Sequence, residues 1–225
     1  MEYDLNLLYK AEKVDKYQQQ IFESKLNRIA RYKYKNYYKP SSINRKKPFI
    51  GNNFYILWMD KRADNGLPHT RYPNIICLPE NISKSNLKTI ILHESVHITQ
   101  KLYPKEWENI FKKWDMKVWN GHIPQYIKKQ IRINPDTVMA PLFIWKNKWV
   151  ILGIFESKEN PDIRKIKNIW LDITNNNILY IEPKEWISFF GNINGEHPYE
   201  ISSYYITYPN NSMACDILIR HLFSY

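Results

Sequence analysis

Hydrophobic residues in the first forty positions recur at helical spacing. Residues 4–38 contain no proline or glycine, and their apolar residues fall at the three- and four-residue steps of one buried stripe. The stripe consists of Tyr17, Ile21, Phe22, Leu26 and Ile29. The pattern predicts one long helix, followed by a linker at residues 39–48, where prolines and serines interrupt the pattern.

Two short apolar runs follow and predict strands. Residues 54–60 and 74–79 are rich in aromatic and β-branched side chains, and a turn-rich loop separates them. We expect these two strands to form a hairpin with a long tip. A helix then begins near Ser83 or Ser85, either of which can cap it, and stops before Pro104.

The second half of the chain alternates between helical and strand patterns. Residues 105–120 predict another helix, which ends at Gly121. Residues 138–183 contain four apolar runs separated by turn signals, which predict a four-stranded antiparallel meander inserted between helical segments. The helical pattern returns after Gly195, and Pro198 suits the first turn of a helix.

These elements predict the α+β class. We expect a helical core in which the helix that begins near Ser83 lies next to a small β-sheet, with the antiparallel meander inserted at about residues 138–183. Residues 1–47 should form an N-terminal basic helix and linker, and residues 48–225 the main domain.

Charge narrows the classes of partner. The chain has 225 residues, with 33 Lys and Arg against 22 Asp and Glu, which gives a formal net charge of +11. Such an excess favours polyanionic neighbours. Residues 24–59 contain nine basic residues and no acidic residue, with tyrosines among them. This segment is either a non-specific polyanion contact or a solvated basic face.

Composition also bears on the compartment. The longest apolar run, residues 149–155, is too short to span a bilayer, and the charged N-terminus lacks the apolar core of a signal peptide. Cys77 and Cys215 lie far apart, which argues against a disulfide scaffold and against a cysteine-based zinc site. We expect a soluble, intracellular protein.

The strongest chemical signal is the pattern His-Glu-x-x-His formed by His93, Glu94 and His97. Two histidines four residues apart project from one face of a helix, so both imidazoles can bind one Zn²⁺. A glutamate directly after the first histidine lies beside the ion and can take a proton from water. The alternative is a pair of core histidines that are hydrogen-bonded to backbone groups.

A zinc site of this kind needs a third protein ligand, and the favoured candidate is Glu200. It falls about one turn into the helix that is predicted to begin near Pro198. Glu196 precedes that proline and is expected in a loop, which makes it the weaker candidate. Asp136 and His122 are further alternatives.

The motif and the downstream glutamate resemble the gluzincin branch of the zincin metallopeptidases. The segments HESVHITQKLYP, GLPHTR and EHPYE are similar to uncharacterised metallopeptidase-like proteins of large DNA viruses. The resemblance implies a zincin-like domain over residues 48–225, a viral protein of the host cytoplasm or virion, and zinc-dependent cleavage of peptide bonds with Glu94 as general base. The sequence departs from the family pattern at Tyr204, where an aspartate would follow Glu200 by four residues.

Three more residues are candidate contacts for substrate or transition state. His69 and Arg71 precede the strand of residues 74–79, where they either clamp a substrate or cap the strand. Tyr204 falls on the same helix face as Glu200 and is either a donor to an oxyanion or, more simply, a core tyrosine.

Zinc-dependent peptidase is therefore the favoured function. The alternative is a catalytically inactive, zinc-stabilised binding or virion-structural protein. Such a protein would associate with nucleic acid through its basic N-terminal region.

Overall fold

The computed structural model describes residues 2–41, 49–51, 53–193 and 195–223. These residues form a mixed α+β fold with two sheets, which confirms the predicted fold class. Residues 42–48, most of the predicted linker, lie outside the described part of the chain.

The helices are α1 (Glu2–Asp15), α2 (Tyr17–Glu23), α3 (Lys25–Tyr32), α4 (Lys84–Leu102), α5 (Pro104–Lys112), α6 (Gln125–Lys128), α7 (Lys184–Phe190), α8 (Pro198–Thr207) and α9 (Met213–Phe223). Within the described residues, none of these helices is long and apolar enough to cross a membrane. The strands are β1 (Phe49–Gly51), β2 (Phe54–Met59), β3 (His69–Arg71), β4 (Ile75–Pro79), β5 (Met116–Val118), β6 (Phe143–Trp145), β7 (Trp149–Phe155), β8 (Ile166–Asp172) and β9 (Asn177–Leu179).

The N-terminal region contains three helices where the sequence predicts one, so that prediction is wrong. Lys16 takes a left-handed backbone conformation with φ of 50°, and Ser24 is extended. At each break a side chain bonds to the first turn of the next helix. Asp15 Oδ1 accepts a hydrogen bond from Tyr17 N at 3.1 Å, and Ser24 Oγ accepts one from Asn27 N at 3.5 Å.

The first sheet has the strand order β1-β2-β4-β3. The predicted hairpin is wrong, because β2 and β4 are parallel and β3 lies antiparallel on the far side of β4. Alternate residues of the two central strands face opposite ways. Leu57 and Cys77 pack with α1, whereas Ile56 and Ile76 pack with α4. A parallel pair suits this position because helices cover both of its faces.

The second sheet is antiparallel, with the order β5-β6-β7-β8-β9. Its strands β6 to β9 confirm the predicted meander. β5 adds a fifth strand from a stretch that was predicted to be helical as far as Gly121, so that part of the prediction is wrong. Helix α5 ends at Lys112 instead, and Asp115, left-handed with φ of 58°, turns the chain into β5.

Helices α4 and α8 carry the candidate chemistry. As predicted, α4 ends before Pro104 and α8 begins with Pro198 in its first turn. One side of α4 packs on the small sheet, and another contacts α8. Gln100 Nε2 on α4 donates to Tyr199 O and Ser202 Oγ on α8, at 3.0 and 2.9 Å. These buried hydrogen bonds fix how the two helices lie against each other.

Candidate metal centre

His93 and His97 lie one turn apart on α4, within reach of the first turn of α8. Their Nε2 atoms are 3.2 Å apart, and their ring planes meet at 74°. His97 is fully buried, whereas the side chain of His93 keeps 17% of its surface exposed. The pair is therefore reached from solvent on the side of His93.

Glu200 projects from the first turn of α8 toward the two histidines. Its Oε2 lies 3.6 Å from His93 Nε2 and 3.5 Å from His97 Nε2. These three side chains can each offer one ligand atom to a single ion. The carboxylate of Glu196 instead forms an ion pair with Arg132. The fold brings Glu200, rather than Glu196, to the histidines.

The separations within this cluster match those around tetrahedral zinc. Zinc–nitrogen and zinc–oxygen bonds of about 2.0–2.2 Å place neighbouring ligand atoms about 3.3–3.6 Å apart in a tetrahedral site. The three separations here are 3.2, 3.5 and 3.6 Å. Two imidazoles and one carboxylate are also a donor set of catalytic zinc sites, which keep a fourth position for water. The residues therefore fit Zn²⁺.

The hydrogen bonds of His97 orient its ring so that Nε2 faces the cluster. Because Gln100 Nε2 donates to Tyr199 O and Ser202 Oγ, its Oε1 is the acceptor on the other side of the amide. This Oε1 lies 2.8 Å from His97 Nδ1, which places the ring proton on Nδ1. A hydrogen bond of this kind orients most metal-binding histidines.

The electrostatics of the cluster favour a cation. Burial alone would lower the pKa of His97, but the carboxylates of Glu200 and Asp136 outweigh it and raise the pKa to about 9. Burial would likewise raise the pKa of Glu200, but His97 and His93 outweigh it and hold that pKa well below its usual value. The surroundings therefore stabilise positive charge at His97 and negative charge on Glu200.

Glu94 lies beside the cluster and is not one of its three ligands. Only 4% of its surface is exposed, and its Oε2 has no hydrogen-bond partner among the described residues. Burial, and after it the charge of Asp136, raises the pKa of Glu94 well above its usual value. A buried carboxylate with a free oxygen and a raised pKa is suited to accepting a proton.

The two other candidate ligands lie in different surroundings. Asp136 Oδ1 accepts hydrogen bonds from Thr70 N and Oγ1, both at 2.6 Å, so this oxygen has partners already. Asp136 also forms a second group with Glu94 and His97, in which the candidate ligand atoms lie within 4.8 Å of one another. His122 is exposed on the segment after β5 and belongs to neither group.

Asn134 and Arg132 belong to the site although sequence reasoning did not select them. Asn134 Nδ2 donates to Glu200 Oε1 at 2.7 Å, and Arg132 pairs with Glu196. Both lie in an irregular stretch between α6 and β6, for which no periodic pattern predicts a partner. The only signal was the polar stretch RINPDT, from which Asp136 alone was considered.

A cavity of about 320 Å³ opens beside the metal cluster. It is lined by His93, Glu94 and Glu200, and on another side by Tyr17 and Arg31 from the N-terminal helices. The volume is at the lower end of the range for sites that hold small organic ligands. The N-terminal helices therefore form part of the cavity wall rather than a separate appendage.

His69 and Tyr204 also line this cavity. The ring of Tyr204 meets the ring of His93 edge-on, with centroids 5.0 Å apart, and the residue is 40% exposed. His69 is buried, with its Nδ1 3.1 Å from Leu67 O and its Nε2 3.3 Å from Tyr38 OH. Tyr204 therefore keeps the more accessible position of the two.

Arg71 does not line the cavity and is only 1% exposed. Its Nε and Nη2 donate to the two carboxylate oxygens of Asp15 at 2.8 and 2.7 Å, and Nη2 also donates to Glu12 at 2.7 Å. The predicted substrate contact therefore needs correction for this residue. Its donors are used in joining α1 to β3.

A comparison of the chain with protein-family models, with curated proteins and with solved structures finds no match.

Proposed function

We propose that the protein is a zinc-dependent peptidase. The observation that carries the proposal is the convergence of three ligand atoms from His93, His97 and Glu200, with Glu94 buried beside them at the same cavity. A purely structural site gains nothing from a carboxylate that has no partner, because burying such a group costs stability. An active site needs such a carboxylate as a general base.

In this proposal, three residues bind the ion and a fourth transfers a proton. His93, His97 and Glu200 would hold the zinc, which would supply Lewis acidity at the cavity. Glu94 takes the proton of the attacking water and passes it to the leaving amine. Tyr204 lines the cavity next to His93, which supports its proposed role as a contact for substrate.

The decisive experiment replaces Glu94 with Gln, which keeps the size of the side chain and removes the base. The variant should bind zinc as the parent does and lose about 10²–10⁴ in the rate of hydrolysis of an unstructured protein substrate. Glu106→Gln, an exposed position on α5, is the matched control and should keep full activity. A parent protein that binds zinc and cleaves nothing across a broad peptide library would favour the inactive, zinc-stabilised alternative.

As a second candidate function we propose contact with an extended polyanion such as single-stranded nucleic acid. A groove of about 1150 Å³ is lined by four exposed lysines, Lys25, Lys128, Lys129 and Lys158. Within the described residues, no carboxylate forms an ion pair with any of them. Tyr126, 59% exposed, adds an aromatic face on which a base can stack.

This groove differs from the basic surface that was predicted at residues 24–59. Among the described residues of that range it includes Ser24, Lys25 and Leu26. Its other lysines are Lys128 at the end of α6, Lys129 directly after it, and Lys158 after β7. The polyanion contact is therefore assigned to charges that the fold collects from distant parts of the chain. The two candidate functions use different surfaces and are compatible.

A further inference from the structure

The amide group of Asn134 has a definite orientation next to the metal cluster. Its Nδ2 donates to Glu200 Oε1 at 2.7 Å and to Glu196 Oε1 at 2.9 Å. Its Oδ1 accepts a hydrogen bond from Asp136 N at 3.0 Å. The reverse orientation would set the amide oxygen against two carboxylate oxygens, so these contacts exclude it. Both amide hydrogens are thus used on carboxylates.

The two oxygens of Glu200 therefore have different partners. Oε1 is held by Asn134, and Oε2 is the atom that faces His93 and His97. A glutamate side chain loses considerable rotational freedom when it is ordered, and that loss opposes ion binding unless it is incurred on folding. The hydrogen bond from Asn134 orders the carboxylate before any ion arrives.

Asn134 is in turn held by a buried ion pair. Glu196 Oε1 accepts from Arg132 Nη2 as well as from Asn134, and the side chains of Glu196 and Arg132 are 8% and 13% exposed. Glu196 thereby connects a fixed positive charge to the amide. The series of contacts runs from Arg132 through Glu196 and Asn134 to Glu200.

Strand β7 makes room for this arrangement at Gly153. A Cβ atom built on Gly153 would overlap Oε2 of Glu196. Arg132 N also donates to Gly153 O at 3.0 Å, so the strand supports both members of the ion pair. Glycine weakens the interior of a strand and often marks a close approach of another group. Here that group is the Glu196 carboxylate.

We propose that Asn134 is the positioning residue of the metal centre, and that Arg132, Glu196 and Gly153 hold it in place. This inference rests on the proposed function, because it concerns the ligand Glu200. Residues that support a metal ligand in this way typically change metal affinity about 10–100-fold when they are replaced. We expect an effect of that size for Asn134.

The first test measures zinc affinity by competition with a chelator. Asn134→Leu and Asn134→Asp keep the approximate size of the side chain, and neither can donate to Glu200 as the amide does. Both should fold and bind zinc about 10–100-fold more weakly than the parent. The absorption spectrum of the Co²⁺-loaded protein, which reports the geometry of the ligands, should also change.

Asn27→Leu is the matched control. Asn27 is also buried, and its amide donates to Ser24 Oγ and Ile131 O and accepts from Ile133 N. It thus makes a similar set of hydrogen bonds to the same irregular stretch without touching Glu200. The control should lower the free energy of unfolding and leave the Co²⁺ spectrum unchanged. Equal losses of zinc affinity in Asn27→Leu and Asn134→Leu would overturn the inference.

A second test examines the support at Gly153. Gly153→Ala should displace Glu196 and lower zinc affinity, and this effect should become much smaller in a protein that carries Glu196→Ala, because the severe overlap with the carboxylate is then removed. Non-additivity of this kind identifies residues that act through a shared contact. Equal effects of Gly153→Ala with and without Glu196 would contradict the series of contacts.

The outcomes separate this inference from the proposed function. If the parent binds no zinc, the proposed function fails, and the inference fails with it. If the parent binds zinc and Glu200→Ala loses it, while Asn134→Leu and Asn134→Asp bind as tightly as the parent, only the inference fails. If all three variants lose affinity with Glu200→Ala the weakest binder, both are supported.

Discussion

The guanidinium of Arg71 and the carboxylate of Asp15 form a two-point ion pair inside the protein. Nε–Oδ2 and Nη2–Oδ1 are 2.8 and 2.7 Å apart, and the side chains are 1% and 3% exposed. The pair joins α1 to β3, 56 residues apart in the chain. Since β3 is an edge strand of the small sheet, this contact holds the N-terminal helix against the unit that carries α4.

Replacing Arg71 with Met should therefore destabilise the fold. The change leaves the Asp15 carboxylate buried without its cation, which typically costs about 3–5 kcal/mol. Chemical denaturation would measure the loss in the free energy of unfolding, while zinc affinity of the folded protein should stay unchanged. Asp15→Asn with Arg71→Met should cost less than the sum of the single changes. If the Arg71→Met variant is as stable as the parent but has a raised KM, Arg71 contacts the substrate and the structural role is wrong.

The proposed zinc site predicts the metal content of the purified protein. Purified protein should contain about one zinc per chain, as a mononuclear site with three protein ligands requires. His93→Ala and His97→Ala should abolish retention during dialysis, measured by atomic absorption. His122→Ala, at an exposed histidine outside the cluster, is the control and should retain the metal. Unchanged zinc content in both His93→Ala and His97→Ala would rule out this site.

His197 predicts a dependence of stability on pH. Burial lowers its pKa to about 4, while in the unfolded chain a histidine titrates near pH 6.5. Between these values the unfolded state binds more protons, so stability should fall as the pH decreases from 6.5 to 4. Above pH 6.5 the shifted pKa of His197 makes its full contribution to the pH-dependent free energy of unfolding, which is roughly 3 kcal/mol.

The matched variant for this effect is His197→Asn. His197 Nδ1 accepts from Tyr199 N at 3.2 Å at the start of α8, and asparagine can cap a helix in the same way without titrating. Denaturation curves at pH 7.5 and 4.5, both with a chelator present, should show a smaller loss of stability in the variant than in the parent. Identical pH dependence in the two proteins would show that His197 is not responsible.

The lysine groove predicts salt-dependent binding of single-stranded DNA. Lys128→Gln with Lys129→Gln should weaken binding and reduce the slope of log K against log salt by about 1.4, since each lost phosphate contact contributes about 0.7. Lys105→Gln with Lys112→Gln, two exposed lysines of α5, changes the net charge equally and is the control. Equal weakening by both pairs would mean that net charge alone drives binding.

The spacing of residues in the sequence was sufficient to predict part of the candidate site. His93 and His97 share a helix face because they are four residues apart, and this relation holds wherever the helix lies. The bounds of α4, the start of α8 at Pro198 and the strands of the meander were likewise predicted from periodicity and turn residues. In each case, interactions between residues close in the chain determine the structure.

The features that only the tertiary structure decided are contacts between residues far apart in the chain. The parallel pairing of β2 and β4 follows from the two helices that cover them, and no hydrophobic pattern within either strand specifies it. The groove collects exposed lysines from distant segments of the chain. The ion pair of Arg71 and the hydrogen bond from Asn134 to Glu200 each join buried side chains of segments that are far apart in the chain. Such polar partners are selected by burial, because a buried charge or amide must find a partner from whatever the fold brings near it.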